Sequence, residues 1–449
     1  MIENTGVARA TFCGACVQMN SMDFSLPPDT HTVILGVGDA FGLMRGKRIP
    51  ASNWQTVCEN GNAMSLVLFT LDMTCDVWET PYANFDNGYP DMHIFPLATP
   101  VSLPWEPGVA VALARAESLD HAPIPIDPRN ALIKQVERAQ AMGYDVFVGP
   151  ELEFYLLDPK TGKPTDEGIQ VYGLGRSARL EHIVGPIRRQ INECGIPIEQ
   201  SNPEYAPGQV EVNIRYSEAL QAADHVVLFK SLVRQLGIAH NYLATFMPKP
   251  FYEQCGSGFH THYSLWKNGK NVFADEGKIN SNGRAFIAGL QRRMAETALI
   301  GSPTVNGFRR REPYSFCPVN TSWGYDNRTA GIRVIEGKDS SVRIEKRDAG
   351  ADANPYLLLA TDIAAGLDGI ELGLEPTEPT IGNAYEKAIG EPIPRELSDA
   401  IRLARGSDWL KDVIGADQWE LRCQISEREL RFFAGQVTKV EVDRYLKTL

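Results

Sequence analysis

The sequence predicts an α+β protein in which a large domain is built on a mostly antiparallel sheet. Two helical segments, EALQAADHVVLFKSLVRQLGIAHNYLA and ANPYLLLATDIAAGLDGIE, are interspersed with the short strand-like runs GFHTHYSLW, GIRVIEG and SVRIEKR. With 449 residues, the chain is also longer than a single hydrophobic core usually supports. We therefore expect two domains.

The N-terminal part of the chain has short strand-like runs separated by turns. HTVILGVG and MSLVLFTLDM predict strands, PYANFDNGYPDMH predicts turns, and VALARAE fits either a strand or a short helix. The proline-rich HAPIPIDP that follows predicts a linker. We therefore expect one domain over residues 1–122 and a second over residues 123–449.

A helix is predicted to begin at Asp127 and Pro128, which supply a cap and a proline in the first turn. Apolar residues then recur at helical spacing, namely Ala131, Leu132, Val136, Ala139 and Met142. Gly143 ends this helix, and the run DVFVGPELEFYLL predicts a strand directly after it.

Composition and charge narrow the classes of function. The net charge of −12, from 44 basic and 56 acidic residues, argues against a protein that binds nucleic acid or an anionic membrane. No apolar run approaches the roughly 18 residues needed to span a bilayer. The first residues, MIENTGVARA, lack the basic and apolar regions of a signal peptide. We therefore expect a cytoplasmic protein.

Eight cysteines are spread over the chain, and Cys13 and Cys16 form its CxxC pair. A zinc site would need two more ligands at a matching spacing, and the sequence has no second pair. We favour the alternative of two reduced thiols.

Glu151 and Glu153 lie two residues apart in the strand-like run GPELEFYL. Residues two apart in a strand point to the same face, so the two carboxylates would lie side by side. Like charges this close are destabilising unless a positive charge lies between them. The alternative is an exposed strand face.

Three further strand-like runs carry charged side chains. In chain order these residues are Glu204 and Glu211 in NPEYAPGQVEVNIRY, His260 and His262 in GSGFHTHYSLW, and Arg343, Glu345 and Arg347 in SVRIEKR. The opposite face of SVRIEKR would carry Val342, Ile344 and Lys346. A histidine pair at this spacing is, by itself, more often structural than metal-binding. If the four runs are neighbours in one sheet, however, they line a cavity whose carboxylates suit hard divalent cations.

With these motifs, the sequence resembles the glutamine synthetase family over nearly its whole length. The matching motifs, in family order, are FGLMRGKRIP, DPRNALIKQ, GPELEF, NPEYAPGQVEV, ADHVVLFKSLVR, ATFMPKP, GSGFHTH, SPTVNGFRRREP, NRTAGIRV and RIEKRDAGADANPYL. The resemblance implies an N-terminal β-grasp domain followed by a catalytic domain with a curved antiparallel sheet. It also implies a homo-oligomer, a dodecamer of two stacked hexameric rings, with each active site between two subunits.

The resemblance implies a reaction in which ATP phosphorylates the γ-carboxylate of glutamate and an amine then displaces phosphate. Two or three Mg²⁺ or Mn²⁺ ions would be held at each site. Glu153, Glu204 and Glu211 would hold one ion, and Glu151, His260 and Glu345 would hold another. Because all six ligands are present, we expect an active enzyme rather than a ring-forming regulator or structural relative.

The other implied roles concern the substrates. The catalytic residues would be Arg328 and Arg310. The residues that bind the nucleotide and its phosphates would be His262, Ser264, Arg328 and Arg333, and those that bind glutamate would be Gly256, Arg310 and Arg347.

Three departures from the family pattern concern the amine and glutamate sites. Aligned on Arg310, Pro313 and Pro318, Phe316 stands where glutamine synthetases have a glutamate that binds ammonium. The second ammonium-binding carboxylate is missing from ENGNAMSLVLFTLDM, where Asp72 lies in a different context. Cys255 stands where the family commonly has an asparagine.

These departures predict that the second substrate is an organic amine. Removing water from ammonium without a carboxylate partner is costly, whereas an apolar substituent gains from burial against Phe316. We expect an alkyl or aryl monoamine, because a polyamine would need acids or an aromatic cage for its second charge. Two alternatives remain: a glutamine synthetase that uses ammonium, with Glu312 as the missing acid, and a phosphotransferase acting on guanidino compounds.

Overall fold

The computed structural model describes residues 24–77, 79–168, 171–387 and 389–449, so that Cys13 and Cys16 lie outside the described residues. The strands, in chain order, are β1 (Thr32–Gly38), β2 (Met44–Pro50), β3 (Asn62–Ser65), β4 (Asp91–Pro96), β5 (Val101–Ser102), β6 (Val109–Glu117), β7 (Asp145–Leu157), β8 (Ile198–Pro203), β9 (Gln209–Ile214), β10 (Ser217–Glu218), β11 (Leu243–Thr245), β12 (Phe259–Lys267), β13 (Lys270–Asn271), β14 (Ala274–Asp275), β15 (Lys278–Ile279), β16 (Trp323–Tyr325), β17 (Ile332–Ile335) and β18 (Arg343–Lys346).

The α-helices are α1 (Trp54–Asn60), α2 (Pro128–Ala141), α3 (Leu174–Ser177), α4 (Glu181–Glu193), α5 (Ala219–Ala239), α6 (Ser281–Arg293), α7 (Ala298–Gly301), α8 (Val305–Phe308), α9 (Pro355–Glu371), α10 (Leu397–Arg405), α11 (Asp408–Ile414), α12 (Ala416–Ala434) and α13 (Lys439–Tyr445). Short 3-10 helices cover Ala51–Asn53, Leu66–Thr70 and Asp339–Ser341. Within the described ranges, no helix is both long and apolar enough to cross a membrane.

A mixed sheet forms the N-terminal part of the fold, in the order β2-β1-β6-β4-β3, with β5 paired to β6. Strands β1 and β6 run parallel, whereas β1 and β2, and β4 and β6, are antiparallel. Trp54 and Val57 of α1 pack in the hydrophobic core of this sheet. This arrangement agrees with the predicted β-grasp architecture.

A larger sheet, in the order β16-β17-β18-β12-β7-β9-β8, forms the centre of the remaining chain. Its pairs are antiparallel except for β16 and β17. The four runs predicted to be neighbours are therefore adjacent, as β18, β12, β7 and β9. Helices α5 and α9 contribute to the core beneath the sheet, with Phe229, Leu236 and Leu358 fully or almost fully buried.

The two parts of the fold are joined by packing as well as by the chain. Leu421 and Ile425 of α12 belong to the core of the N-terminal sheet. Arg422 lies over the Phe41 ring and donates a hydrogen bond to the Ala40 carbonyl. The domain boundary between residues 122 and 123 remains a prediction.

Most elements agree with the sequence patterns, and two differ. Helix α2 has Asp127 as its cap, which accepts a hydrogen bond from the Arg129 amide, and VALARAE lies in strand β6. MSLVLFTLDM is not one strand: β3 ends at Ser65, whose hydroxyl accepts from the Val67 amide and begins a 3-10 helix. The predicted helix ending in HNYLA stops earlier, because α5 ends at Ala239 and β11 follows.

Candidate active site

Strand β7 carries the residues around which the site is built. Glu151 lies opposite His260 of β12 on one side and opposite Asn213 of β9 on the other. Glu153 lies opposite Glu211 of β9. Because β7 alternates buried and partly exposed residues, Leu152 and the next apolar side chain enter the core while both carboxylates share the other face. The prediction that they lie side by side agrees with this register.

Three carboxylates form the first candidate metal site. Oxygen atoms of Glu153, Glu204 and Glu211 all lie within 4.8 Å of one another. Burial, together with the neighbouring carboxylates, raises the pKa of Glu204 to about 7 and that of Glu211 to about 9. Three like charges in a partly buried site are unfavourable alone and suit a hard divalent cation. These are the residues predicted to hold one ion.

Neighbouring groups fix the orientation of Glu153. Its Oε2 accepts a hydrogen bond from the Gly258 amide at 2.8 Å and another from Gln209 Nε2 at 3.4 Å. Gln209 also donates to the Gly256 carbonyl at 3.0 Å. The carboxylate is therefore held by the β9 strand and by the turn that precedes β12.

The second candidate metal site contains two carboxylates and an imidazole. Ligand atoms of Glu151, His262 and Glu345 all lie within 4.8 Å of one another. His262 Nε2 is 3.0 Å from Glu151, and Gly149, which lies opposite His262 on β7, has no side chain to separate them. The predicted ligand His260 also lies close, with Nδ1 3.6 Å from Glu151 and 3.5 Å from Glu345. Both imidazoles thus reach this site.

The electrostatic environment of the second site differs from that of the first. Burial opposes ionisation of Glu151, but His262 and His260 together hold its pKa well below the usual range. Burial likewise opposes ionisation of Glu345, and Arg347 with the two imidazoles lowers its pKa. The two sites therefore hold carboxylates of opposite tendency, protonated in the first and ionised in the second.

Three predicted anion-binding arginines border this second site. Arg333 Nη1 lies 3.1 Å from Glu345, and Arg347 donates a hydrogen bond to the same carboxylate. Arg333 also pairs with Asp326 at 2.6 Å. Nε of Arg347 and Nε of Arg310 are both buried without a hydrogen-bond partner among the described residues. Both guanidinium groups thus retain donors for an anion.

Gly256, predicted to bind glutamate, lies against Arg310. A Cβ atom built at Gly256 would approach Arg310 Cγ to 2.5 Å, and one at Gly258 would approach Arg310 Nη2 to 3.2 Å. Glycine at these positions lets the turn before β12 pass close to the guanidinium. The sequence GSG thus leaves room beside Arg310 for a small anionic substrate.

The predicted nucleotide-binding residues are spread along one side of the site. His262 and Ser264 point to the same face of β12, where Ser264 accepts a hydrogen bond of 3.0 Å from Trp266 Nε1. His262 Nδ1 accepts from Arg343 Nε at 3.3 Å. Arg328 is exposed and lines an open cleft of about 690 Å³ between residues 325–329 and 379–383.

Phe316 lies in a short loop, residues 312–317, that we call the amine loop. Phe316 and Tyr314 both adopt positive φ angles, 59° and 64°, and are 53% and 66% exposed. The Tyr385 hydroxyl donates to the Cys317 carbonyl at 3.1 Å, and the Tyr314 hydroxyl donates to Glu386 at 3.0 Å. The segment around residue 385 therefore holds the loop in place.

The acids that could replace the missing ammonium ligands have other partners. Glu312 accepts a hydrogen bond of 2.8 Å from Arg395. Asp72 accepts from the Thr74 amide, the Thr74 hydroxyl and the Asp76 amide within its own turn. Near the glutamate-binding residues, burial raises the pKa of the Cys255 thiol, whose carbonyl accepts 2.6 Å from Tyr155.

The sequence patterns did not identify two residues of the site. Gln209 orients Glu153, and its position two residues before Glu211 on the same strand face could have indicated this. Tyr172 lies where Arg328, Glu204 and Glu211 influence its hydroxyl. No local pattern around Tyr172 indicates this, because a long segment separates it from those residues.

Comparisons with known proteins agree with this geometry. A family profile described as the catalytic domain of glutamine synthetase matches residues 125–445. A glutamate–isopropylamine ligase of a Pseudomonas species is 32% identical over 443 residues, covering 94% of this chain and 96% of its own. A glutamine synthetase of Thermotoga maritima is 33% identical over 374 residues, covering 79% of this chain and 85% of its own. A solved structure of a GmaS–ADP complex superposes with a TM-score of 0.84 at 28% identity, covering 93% of this chain and 97% of that one.

Proposed function

The chain belongs to the glutamine synthetase family and is an enzyme of the ligase class, and we propose that it joins the γ-carboxylate of glutamate to an organic amine, using ATP. The products are a γ-glutamylamide, ADP and phosphate. A carboxylate is a poor acyl donor, and phosphorylation gives it a better leaving group. The amine then attacks the γ-glutamyl phosphate and displaces phosphate.

The observation that carries the choice of an organic amine is the chemistry of the amine loop. Phe316 is apolar, and Glu312 in the same loop is already paired with Arg395. Ammonium is small, charged and strongly hydrated, so a pocket without a free carboxylate binds it poorly. An alkyl or aryl group on the amine would gain from contact with the Phe316 ring.

The donor sets fit Mg²⁺ or Mn²⁺, and we assign one ion to Glu153, Glu204 and Glu211. We assign another to Glu151, Glu345 and His260, with His262 within reach of the same carboxylates. When bound, such ions neutralise the charge of the transferring phosphoryl group. Gln209 and the Gly258 amide would keep Glu153 oriented for this role.

The guanidinium groups supply the anion sites in this proposal. Arg310 and Arg347, each with a buried unpartnered Nε, would bind the carboxylates of glutamate, and Gly256 leaves room for it. Arg328 and Arg333 would contact the phosphates, with Ser264 on the same face as His262. Arg310 and Arg328 would stabilise the charge that develops as the phosphoryl group is transferred.

We further propose a monoamine with an alkyl or aryl substituent as the substrate. The relative from Pseudomonas is named for isopropylamine, an alkyl monoamine. A second ammonium group, as in a polyamine, would need acids or stacked aromatic rings beyond the single exposed Phe316 side chain. We also propose that the enzyme works as a dodecamer of two stacked hexameric rings.

A glutamine synthetase that uses ammonium is the second candidate. The observation that favours it is the similarity to the enzyme of Thermotoga maritima, whose 33% identity equals that to the amine ligase within one per cent. Overall identity does not separate the two activities, so the amine loop has to decide between them.

The proposed function is tested by following the product. The purified protein is incubated with glutamate, ATP, Mg²⁺ and one of several monoamines, and mass spectrometry identifies what forms. We expect a γ-glutamylamide together with ADP and phosphate. Phosphorylation of the added amine without amide formation would instead indicate a phosphotransferase, and no turnover with any amine or ammonium would contradict the ligase proposal.

A further inference from the structure

Beneath the site lies a group of four charged residues that no proposed step uses. Arg311, Lys346, Asp348 and Asp362, here called the buried ion cluster, are each at most 2% exposed. Two cations and two carboxylates make the cluster neutral overall. Its location under the sheet, rather than at the surface, is the feature to be explained.

The four side chains form a connected chain of contacts. Lys346 Nζ lies 2.9 Å from Asp348 and 2.8 Å from Asp362, and Arg311 Nη2 lies 3.5 Å from Asp348. The Tyr263 hydroxyl of β12 donates to Asp362 at 2.7 Å. The cluster thus links β12, β18, helix α9 and the segment that carries Arg310.

Two of its members are sequence neighbours of the proposed glutamate-binding arginines. Arg311 follows Arg310, and Asp348 follows Arg347, so each pair places one side chain toward the site and the other in the cluster. The Asp348 carbonyl also accepts a hydrogen bond from Arg310 Nη1 at 3.4 Å. Asp348 is therefore joined to Arg347 covalently, to Arg310 through its carbonyl and to Arg311 through its carboxylate.

We infer that Arg311 and Asp348 are positioning residues that set the separation of Arg310 and Arg347, and thereby the binding of glutamate. A buried ion pair contributes little net stability, because desolvation of both charges offsets their attraction. It does fix geometry, since Arg311 also donates to the Pro394 carbonyl at 2.8 Å and to the Ser302 hydroxyl at 3.3 Å. This inference rests on the proposed role of Arg310 and Arg347 in binding glutamate.

The test uses the full-length protein with glutamate, ATP, Mg²⁺ and hydroxylamine, and measures formation of γ-glutamyl hydroxamate. Hydroxylamine makes the readout independent of which amine the enzyme prefers. The double variant Arg311→Met/Asp348→Asn removes the pair without leaving an unpaired charge, because Lys346 keeps Asp362. The matched control is Arg129→Met/Asp224→Asn, which removes a pair with hydrogen bonds of 2.9 Å between α2 and α5.

We expect the double variant to raise the KM for glutamate at least tenfold while the KM for ATP changes less than twofold. The control should leave both KM values within twofold, even where its melting temperature falls as far. An unchanged KM for glutamate, or equal increases for both substrates, would overturn the inference. If the double variant does not fold, Arg311→Lys decides, since it keeps the charge but loses the planar fork: it should raise the KM for glutamate about threefold or more, and no change overturns the inference.

Failure of the proposed function gives a different result. If the wild-type protein forms no hydroxamate from glutamate, the ligase proposal itself fails. If the wild-type protein forms it and the variants keep the wild-type KM for glutamate, only the positioning role fails.

Discussion

Arg395 donates a hydrogen bond of 2.8 Å to the carboxylate of Glu312. This contact matters because Glu312 is the one acid in the amine loop that could replace the ammonium-binding glutamate of the family pattern. Its pairing with Arg395 leaves Phe316 as the side chain that decides what the amine site accepts. The predictions below follow from this relationship and from the two candidate metal sites.

Replacing Glu312 with Gln should have little effect. The ion pair with Arg395 is exposed on both sides, and such pairs contribute about 0–1 kcal/mol. We expect kcat/KM for ammonium and for isopropylamine each to change less than about threefold, measured by phosphate release. A large loss specific to ammonium would show that Glu312 serves the amine after all.

Replacing Phe316 with Glu should shift the preference toward ammonium. A carboxylate at this position would offset the cost of removing water from the ammonium ion, and about 1.4 kcal/mol corresponds to a tenfold change in affinity. We expect the ratio of kcat/KM for ammonium to that for isopropylamine to rise at least about tenfold. Phe316→Gln, which has the same shape as Glu without the charge, should not produce this rise, and an equal rise in both variants would refute the electrostatic explanation.

The two imidazoles beside Glu151 should separate by function. We expect His260→Asn to weaken Mn²⁺ binding without nucleotide by about tenfold or more, as loss of a metal ligand does. His262→Asn should mainly raise the KM for ATP. Electron paramagnetic resonance titration with Mn²⁺ measures the first effect and steady-state kinetics the second. The reverse result would assign the metal to His262, whose Nε2 lies nearer Glu151.

Binding of Mg²⁺ should release protons and become tighter as pH rises. The pKa of Glu204 is raised to about 7 and that of Glu211 to about 9, so the metal-free folded protein holds protons that the unfolded chain loses above its ordinary pKa. The stability of the metal-free protein should therefore fall between about pH 5 and pH 9. Glu151 and Glu345 have lowered pKa values and are already ionised in this range.

Thermal melting with and without Mg²⁺ at pH 6 and pH 9 measures this effect. The stabilisation by Mg²⁺ should be larger at pH 9, because fewer protons compete for the carboxylates. The variant Glu204→Gln/Glu211→Gln should abolish the difference between the two pH values. Equal stabilisation at both values in the wild-type protein would contradict the proposed carboxylate site.

Much of the fold and site could be predicted because the chemistry follows strand periodicity. The alternation of Glu151 with Leu152 and of Glu345 with Lys346 indicated which side chains share a face, and the structure brings their strands together. The register between distant strands could not be predicted. Whether His260 or His262 lies nearer Glu151 depends on Gly149, which leaves open space on the neighbouring strand.

Two other features depend on contacts far apart in the chain. Lys346 could be placed on the face opposite Glu345, but its buried carboxylate partner Asp362 lies on helix α9 and no local pattern connects them. The 3-10 helix over Leu66–Thr70 was hidden within an apolar run, because the Ser65 hydroxyl competes locally with strand hydrogen bonds.

The central claim is that the amine loop selects an organic amine over ammonium. The most direct measurement compares kcat/KM for ammonium with that for isopropylamine, ethanolamine, putrescine and aniline, using wild-type protein with saturating glutamate, ATP and Mg²⁺. We predict that an alkyl or aryl monoamine exceeds ammonium by about tenfold or more, which corresponds to about 1.4 kcal/mol of selective binding in the transition state. A higher value for ammonium than for every organic amine would contradict the account and identify a glutamine synthetase.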